Sequence, residues 1–139
     1  MDTSSQKKFH ILIIDDDEIM RRLFGSLLGK AGYEVIYAPD ADQGRELARR
    51  FQPDLILMDK EMPGMDGIKA SSRLKNEAST ANIPIVLLTN EDLSIEAEKW
   101  MKEFSIIDYI QKGIDNDEFI ERIKKVFDMI KNKSPQKLK

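Results

Sequence analysis

The feature that most constrains this chain is a regular alternation between short apolar runs and longer amphipathic stretches. The apolar runs are rich in β-branched residues and end at acidic or turn-forming residues, which is typical of strands buried on both faces. The longer stretches repeat apolar residues three and four positions apart, as helices with one buried side do. The predicted strands are 11–14, 33–38, 55–58, 85–88 and 106–110, and the predicted helices are 19–31, 40–51, 66–78, a helix running through 100–104, and 115–131.

Strand and helix therefore alternate five times along the chain. Successive parallel strands need a crossover connection, which is right-handed and lays its helix on a face of the sheet. The pattern predicts an α/β fold in which helices cover both faces of a doubly wound parallel sheet. A chain of 139 residues has room for one such core, so we expect one domain at 9–131 between flexible segments at 1–8 and 132–139.

Composition excludes several classes of function. The net charge is −3 and the basic residues are scattered, so nothing indicates a direct nucleic-acid partner. The chain has no cysteine, which removes disulfides, thiolate chemistry and cysteine-based zinc sites. Its first residues are polar, and the apolar run after them is too short for a signal peptide or a membrane span. We therefore expect a cytoplasmic protein without membrane contact.

Polar residues follow most of the predicted strands, at the edge where ligands bind in open parallel sheets. They are Asp15, Asp16, Asp17 and Glu18 after the first strand, Asp59 after the third, Thr89 after the fourth and Lys112 after the fifth. Carboxylates gathered at one edge repel each other unless a cation neutralises them. Oxygen ligands without His or Cys suit Mg²⁺, which also takes oxygens from a phosphoryl group. The Lys112 ammonium and the Thr89 hydroxyl are suited to bind further phosphoryl oxygens.

Four motifs extend this interpretation to nearly the whole chain. They are Ile11-Leu12-Ile13-Ile14-Asp15-Asp16; Leu55-Ile56-Leu57-Met58-Asp59 followed by Met62-Pro63-Gly64-Met65-Asp66-Gly67; Leu87-Leu88-Thr89; and Asp108-Tyr109-Ile110-Gln111-Lys112. With these motifs in this order, the chain resembles the receiver domains of bacterial response regulators, typified by the chemotaxis response regulator of two-component signalling. The resemblance implies a flavodoxin-like three-layer sandwich with strand order 2-1-3-4-5.

The resemblance also implies a role for each site residue. Asp59 would accept a phosphoryl group from a phosphohistidine on a sensor histidine kinase or a histidine phosphotransfer protein. Mg²⁺ would be held by the carboxylates of Asp16 and Asp59, by Asp15 through water, and by the backbone carbonyl of Glu61. The domain would catalyse only its own phosphorylation and dephosphorylation, through positioning and charge neutralisation, and would not be an enzyme acting on other substrates.

The same resemblance implies a switch. Thr89 would move toward the phosphoryl group and Tyr109 would rotate inward behind it, which reshapes the face formed by the fourth helix, the fifth strand and the fifth helix. A downstream target protein would bind that face. The last helix carries a wide apolar stripe, so homodimer formation on phosphorylation is left open.

Three residues depart from the family pattern. Gly113 follows Lys112, where a proline in a cis peptide is usual. Asn90 follows Thr89, where a small residue is usual, and Glu61 adds a negative side chain at the rim of the site. We expect Lys112 still to reach the site, and we expect Asn90 and Glu61 to alter the rates of phosphorylation or dephosphorylation.

Other interpretations stay open at this point. Asp17, Asp40 and Asp66 are candidates for helix N-caps. Asp15 followed by Asp17 also fits the Asp-x-Asp nucleophile motif of haloacid-dehalogenase-like phosphatases, although that assignment leaves Asp59 unexplained. A pseudo-receiver that binds partners without being phosphorylated is the other alternative. The sequence does not decide whether the domain stands alone or belongs to a longer regulator or hybrid kinase.

Overall fold

The computed structural model describes residues 8–133. The strands are β1 (His10–Ile14), β2 (Glu34–Ala38), β3 (Leu55–Asp59), β4 (Glu61–Met62), β5 (Met65–Asp66), β6 (Ile85–Thr89) and β7 (Ile106–Gln111). The helices are α1 (Glu18–Lys30), α2 (Ala41–Phe51), α3 (Gly67–Lys75), α4 (Ile95–Glu103) and α5 (Asn116–Lys133). Every predicted strand and helix is present, and the short β4–β5 hairpin is an addition.

Five of the strands form one parallel sheet in the order β2-β1-β3-β6-β7. Without the hairpin strands in the numbering, this is the predicted order 2-1-3-4-5, and the doubly wound flavodoxin-like sandwich is confirmed. Side chains alternate between the two faces along each strand. In β1, Ile11 and Ile13 pack on the side of α1 and α5, whereas Leu12 and Ile14 pack on the side of α2, α3 and α4. Two separate apolar cores therefore lie on the two sides of the sheet.

The middle strand, β3, is buried along its whole length. Its parallel pairing aligns Met58 with Ile14 of β1 and Asp59 with Leu88 of β6. The strands β1, β3, β6 and β7 consequently end side by side. That common edge is where the polar residues singled out in the sequence lie.

The hairpin after β3 explains the Pro-Gly pair of the sequence. Met62 pairs with Met65 in antiparallel register, so Pro63 and Gly64 form the loop between them. Gly64 has φ +84°, a left-handed conformation that glycine adopts without strain. Proline before such a glycine supplies the fixed φ that the first central position of a tight turn needs. The hairpin returns the chain to the site edge and leads directly into α3.

The first three helices begin at aspartate caps. The side chains of Asp17, Asp40 and Asp66 accept backbone N–H bonds at the starts of α1, α2 and α3, which confirms the capping interpretation. Each cap satisfies an amide that would otherwise have no partner inside the helix. Within residues 8–133, no helix has both the length and the apolar character needed to cross a bilayer.

Two helices end more than one residue away from the predicted position. The helix α3 stops before Ala78, because the Thr80 hydroxyl donates to the carbonyl of Leu74 and replaces its helical partner. The helix α5 continues to Lys133, into the predicted tail, and the sequence has no proline or glycine between Lys131 and Lys133 to interrupt it. The rest of that tail and residues 1–7 lie outside the described residues.

Gly67, the first residue of α3, lies against the backbone at the end of β3. A Cβ atom at this position would be 2.3 Å from the carbonyl oxygen of Asp59 and 2.9 Å from the Cα atom of Lys60. The Gly67 amide also donates to the Lys60 carbonyl at 2.6 Å. The start of α3 can approach the end of β3 this closely only where no side chain intervenes.

We expect Gly67→Ala to lower the free energy of unfolding by about 1–3 kcal/mol, because the opposing atoms belong to the backbone and cannot rotate aside. Gly29→Ala is the matched control, since Gly29 lies within α1 and a Cβ atom there meets nothing within 4 Å. The control should be neutral or stabilising by up to about 1 kcal/mol. Urea unfolding of both variants measures the difference, and equal effects would contradict the close approach.

Candidate functional site

Three carboxylates and one ammonium meet at the carboxyl edge of the sheet. Asp15 and Asp16 follow β1, Asp59 ends β3, and Lys112 follows β7. One carboxylate oxygen from each of the three aspartates lies within 4.8 Å of the others. The Nζ atom of Lys112 is 3.0 Å from Asp15 Oδ2 and 3.1 Å from Asp59 Oδ1. The structure therefore brings together four of the residues that the sequence singles out.

Asp15 is fully buried and is held from several directions. Its backbone amide donates to the Ala38 carbonyl at 3.1 Å, and its Oδ1 atom accepts the Asp17 amide at 2.9 Å. The Arg21 guanidinium donates to its carbonyl at 2.7 Å. Its Oδ2 atom has the Lys112 ammonium as an ion-pair neighbour but, among residues 8–133, no hydrogen-bond donor at a suitable angle. A buried carboxylate oxygen in this state has a lone pair available to a metal ion.

The charges of the cluster do not balance without a cation. Three carboxylates face one ammonium, which leaves two negative charges in excess when all four groups are ionised. Two like charges separated by 4.8 Å, the upper bound on the distances between these carboxylate oxygens, repel by roughly 3 kcal/mol at an effective dielectric of about 20. Asp16 is exposed and opens the cluster to solvent. The donor set and the available oxygen of Asp15 fit a hard divalent cation.

Burial and like charge set the protonation of Asp59, which is 2% exposed. Burial, the charge of Asp15 and a hydrogen bond with Asp16 raise the pKa of Asp59 to about 7, against the opposing effects of the Lys112 charge and the Glu61 amide. Burial alone would lower the pKa of Lys112, but its two aspartate neighbours outweigh burial and raise it. Lys112 is therefore a fixed positive charge, whereas metal-free Asp59 is near the midpoint of its titration at neutral pH.

Thr89 ends β6 and is buried, but its hydroxyl bonds to the loop that follows the strand. Its Oγ1 atom donates to the Glu91 carbonyl at 3.0 Å and accepts the Glu91 amide at 3.3 Å. Its own carbonyl accepts the Lys112 amide at 2.7 Å. Movement of this hydroxyl toward a phosphoryl group would break both bonds to Glu91, and that movement stays a prediction.

Tyr109 is half-buried in β7, where α5 holds its backbone. Arg122 of α5 donates to the Tyr109 carbonyl at 2.7 Å and to the Asp108 carboxylate at 2.9 Å. Tyr109 also lines an open groove together with Asn90 and Glu118. The backbone at this position is thus fixed to α5, and the inward rotation of the ring stays a prediction.

The residues that depart from the family pattern occupy different places. Gly113 does not keep Lys112 from the site, since the ammonium reaches both buried aspartates. Asn90 is exposed at the rim. Glu61 is also exposed, and its amide donates to Asp59 Oδ1 at 3.1 Å. The role of its carbonyl as a metal ligand stays a prediction.

Two residues that position the cluster were missed in the sequence. Arg21 binds the carbonyl of Asp15, whereas its neighbour Arg22 pairs with Glu18 on the outside of α1. The two arginines are adjacent in the sequence and lie on different faces of α1. Which face lies next to the carbonyl of Asp15 is known only from the packing of the helix. Gly67 stands within a quoted motif, but its requirement for a missing side chain follows only from backbone distances across the hairpin.

Comparison with known proteins agrees with this geometry. A family model for the response regulator receiver domain matches residues 11–124. The chain is 34% identical over 116 residues to the protein PilH of Pseudomonas aeruginosa. The aligned region covers 84% of this chain and 95% of PilH. It is 32% identical over 114 residues to the polar-differentiation response regulator DivK of Brucella anthropi, covering 82% of this chain and 92% of DivK. The chain therefore belongs to the response regulator receiver domain family.

Solved structures share the fold. The chemotaxis protein CheY4 of Vibrio cholerae superposes with a TM-score of 0.80 at 25% identity, covering 86% of this chain and 99% of that one. A CheY-like response regulator receiver domain protein of Methanospirillum hungatei gives a TM-score of 0.82 at 24% identity, over 91% of this chain and 99% of that one. At these identities the likeness supports the architecture, and the site rests on the contacts described above.

The raised pKa of Asp59 makes stability depend on pH in the metal-free protein. The folded state keeps the proton up to about pH 7, whereas an unfolded aspartate releases it near pH 4, so stability falls as the pH rises through this range. Without a metal ion, we expect Asp59→Asn to raise the free energy of unfolding by about 4 kcal/mol at pH 8 and to have little effect at pH 4.

Denaturant unfolding in the presence of EDTA at the two pH values measures this difference. Asp42→Asn is the control, because Asp42 is exposed on α2 and is not one of the three clustered carboxylates. A gain for Asp59→Asn that is the same at both pH values would contradict the electrostatic origin of the effect.

Proposed function

We propose that this chain is a receiver in two-component or phosphorelay signalling and that Asp59 accepts a phosphoryl group in a Mg²⁺-dependent reaction. The observation that carries the proposal is the contact of Lys112 Nζ with Asp59 Oδ1 inside a cluster that has an excess of negative charge. Membership of the receiver domain family supports the same assignment. In this function a buried carboxylate is needed as a nucleophile beside a fixed positive charge.

Asp59 is the nucleophile of the transfer. One of its carboxylate oxygens bonds to phosphorus while the bond from phosphorus to the imidazole nitrogen of the donor histidine breaks, and the imidazole keeps the electron pair. The product is an acyl phosphate on Asp59, which hydrolysis returns to the carboxylate. Lys112 pairs with a phosphoryl oxygen and so offsets the charge brought to the site. The side chains contribute position and charge, as is general for phosphoryl transfer.

Mg²⁺ is the cation that the donor set would hold. Asp16 and Asp59 would bind it directly, Asp15 through water, and Glu61 through its backbone carbonyl. When bound, Mg²⁺ neutralises the carboxylates and the incoming phosphoryl oxygens. Arg21 and the Asp17 amide keep Asp15 in place throughout, because both contacts involve groups that do not take part in the transfer.

Thr89 is the residue that senses phosphorylation. Its hydroxyl exchanges its bonds with Glu91 for a bond to a phosphoryl oxygen, and Tyr109 rotates inward behind it. The face formed by α4, β7 and α5 then changes shape for a downstream target protein, and homodimer formation on phosphorylation is a second use of that face.

The phosphodonor is a sensor histidine kinase or a histidine phosphotransfer protein, and the transfer takes place in the cytoplasm. The chain acts on its own aspartate and on no separate substrate. The alternative functions are those of a pseudo-receiver and of a haloacid-dehalogenase-like phosphatase. The labelling experiment below distinguishes both from a phosphorylated receiver.

Incubation with acetyl phosphate and Mg²⁺ followed by intact mass spectrometry tests the proposal. We expect the wild-type chain to gain one phosphoryl group, and we expect no gain for Asp59→Asn or when EDTA removes the metal ion. Asp42→Asn is the control and should label as the wild type does, because Asp42 is exposed and lies outside the cluster.

Each other outcome selects a different function. No gain of mass by the folded wild-type chain would contradict phosphorylation and favour a pseudo-receiver. Labelling that survives in Asp59→Asn but disappears in Asp15→Asn would assign the nucleophile to Asp15, as in a haloacid-dehalogenase-like phosphatase.

The exposed carboxylate of Glu61 gives a test of the rate. We expect Glu61→Gln to speed labelling by acetyl phosphate about 2- to 5-fold at low salt, because a negative charge at the rim repels an anionic donor. The gain should shrink at high salt, where the charge is screened. Glu98→Gln, an exposed change on α4, is the control. A rate for Glu61→Gln equal to that of the control would show that the rim charge does not limit entry.

A further inference from the structure

An open groove of about 900 Å³ runs between α3 and α4, and none of its lining residues belongs to β7 or α5. One wall is formed by the β4–β5 hairpin and the first half of α3. The other wall is formed by the loop after β6 and by α4. The proposed phosphoryl transfer does not use this groove.

The floor of the groove is apolar and includes an aromatic pair of which one ring is exposed. Met65, Ile68 and Leu93 line it together with Trp100 and Phe104. The rings of Trp100 and Phe104 stack with their centroids 5.6 Å apart and their planes within 7°. Trp100 is nevertheless 44% exposed. Covering such a ring releases hydrophobic free energy, and tryptophan commonly anchors protein contacts for this reason.

The rim of the groove is acidic. Four acidic residues and two basic residues line it. The acidic residues are Asp66, Glu91, Asp92 and Glu96, and the basic residues are Lys60 and Lys69. Asp66 caps α3 and Asp92 accepts the Gln111 amide, and neither of these neutral donors removes the negative charge. The rim therefore has an excess of negative charge above an apolar floor.

We propose that this groove docks an amphipathic segment of a partner protein that presents a large apolar side chain flanked by Lys or Arg. The apolar side chain covers the Trp100 and Phe104 rings, and the basic residues face the acidic rim. Complementary charge selects such a segment over acidic peptides and nucleic acids, which the rim repels.

The groove is connected to the phosphorylation site through both of its walls. Lys60 directly follows Asp59 in the chain, and Glu91 holds the Thr89 hydroxyl through its carbonyl and its amide. When Thr89 leaves Glu91, the loop that forms one wall loses two bonds, and the affinity of the groove changes. This coupling rests on the proposed function, whereas the docking itself does not.

Selection from a library of random 12-residue peptides displayed on phage tests the docking, with unphosphorylated wild-type protein as bait and Trp100→Ala for counter-selection. We expect enrichment of peptides that combine an aromatic or leucine side chain with Lys or Arg. In fluorescence polarisation with a selected peptide, we expect Kd to rise about 10-fold for Trp100→Ala and about 3-fold for Glu96→Gln.

Two matched variants serve as controls. Glu98→Gln changes an exposed glutamate of the same helix that does not line the groove, and Phe51→Ala removes an aromatic side chain that is 56% exposed elsewhere. Both should bind the selected peptide as the wild type does. Glu96→Gln alters only an exposed charge, so it remains informative if Trp100→Ala does not fold.

Several results would overturn the docking proposal. They are enrichment of peptides without basic residues, equal Kd values for the wild type, Trp100→Ala and Glu96→Gln, and a wild-type dimer in sedimentation that Trp100→Ala abolishes. The last result would assign the groove to a second copy of this chain.

A second measurement addresses the coupling. With acetyl phosphate and Mg²⁺, we expect Kd for the selected peptide to change at least about 3-fold in the wild type and not in Asp59→Asn. An unchanged Kd in fully labelled protein would overturn the coupling alone. Failure of the wild type to become labelled would contradict the proposed function, and the docking would still stand on the binding to unphosphorylated protein.

Discussion

The ammonium of Lys112 between two buried carboxylates is the interaction on which the site depends. It joins the ends of β1, β3 and β7, and its side chain is only 10% exposed. Buried charges are tolerated when they are paired, and removing one partner leaves the others without compensation. The two ion pairs of Lys112 therefore hold three strand ends together. The single positive charge does not neutralise all three carboxylates of the cluster. Because the pairing is incomplete, the edge of the sheet keeps a net negative charge, and the proposed cation site rests on that charge.

Most of the fold could be predicted because its three inner strands, β1, β3 and β6, are buried on both faces and therefore appear in the sequence as continuous apolar runs. The aspartate caps Asp17, Asp40 and Asp66 mark helix starts for a local reason, since each side chain bonds an amide two or three residues ahead. The hairpin β4–β5 could not be predicted as strands, because two-residue strands carry no periodicity. The end of α3 depends on Thr80, which lies beyond the helix and acts through a tertiary contact.

The candidate site was predictable to the same extent and for a similar reason. Asp15, Asp59 and Lys112 lie at the carboxyl ends of predicted strands. A parallel sheet brings these ends to one edge independently of the conformations of the connecting loops. The bond of the Thr89 hydroxyl to Glu91, the contact of Arg21 with Asp15 and the bare backbone at Gly67 depend on distances between elements. Such distances are set by packing, which the order of residues does not show.

The sheet separates the interior into two apolar cores that share strands but few side chains. Residues such as Ile13 and Ile14 are neighbours in sequence yet belong to opposite compartments. Substitutions in one compartment should then be nearly independent of substitutions in the other, as is general for sites without shared contacts. Helices on one side can diverge to suit a new binding protein while the opposite side keeps the strand ends in register. A single scaffold can in this way acquire many interaction specificities around one unchanged edge of the sheet.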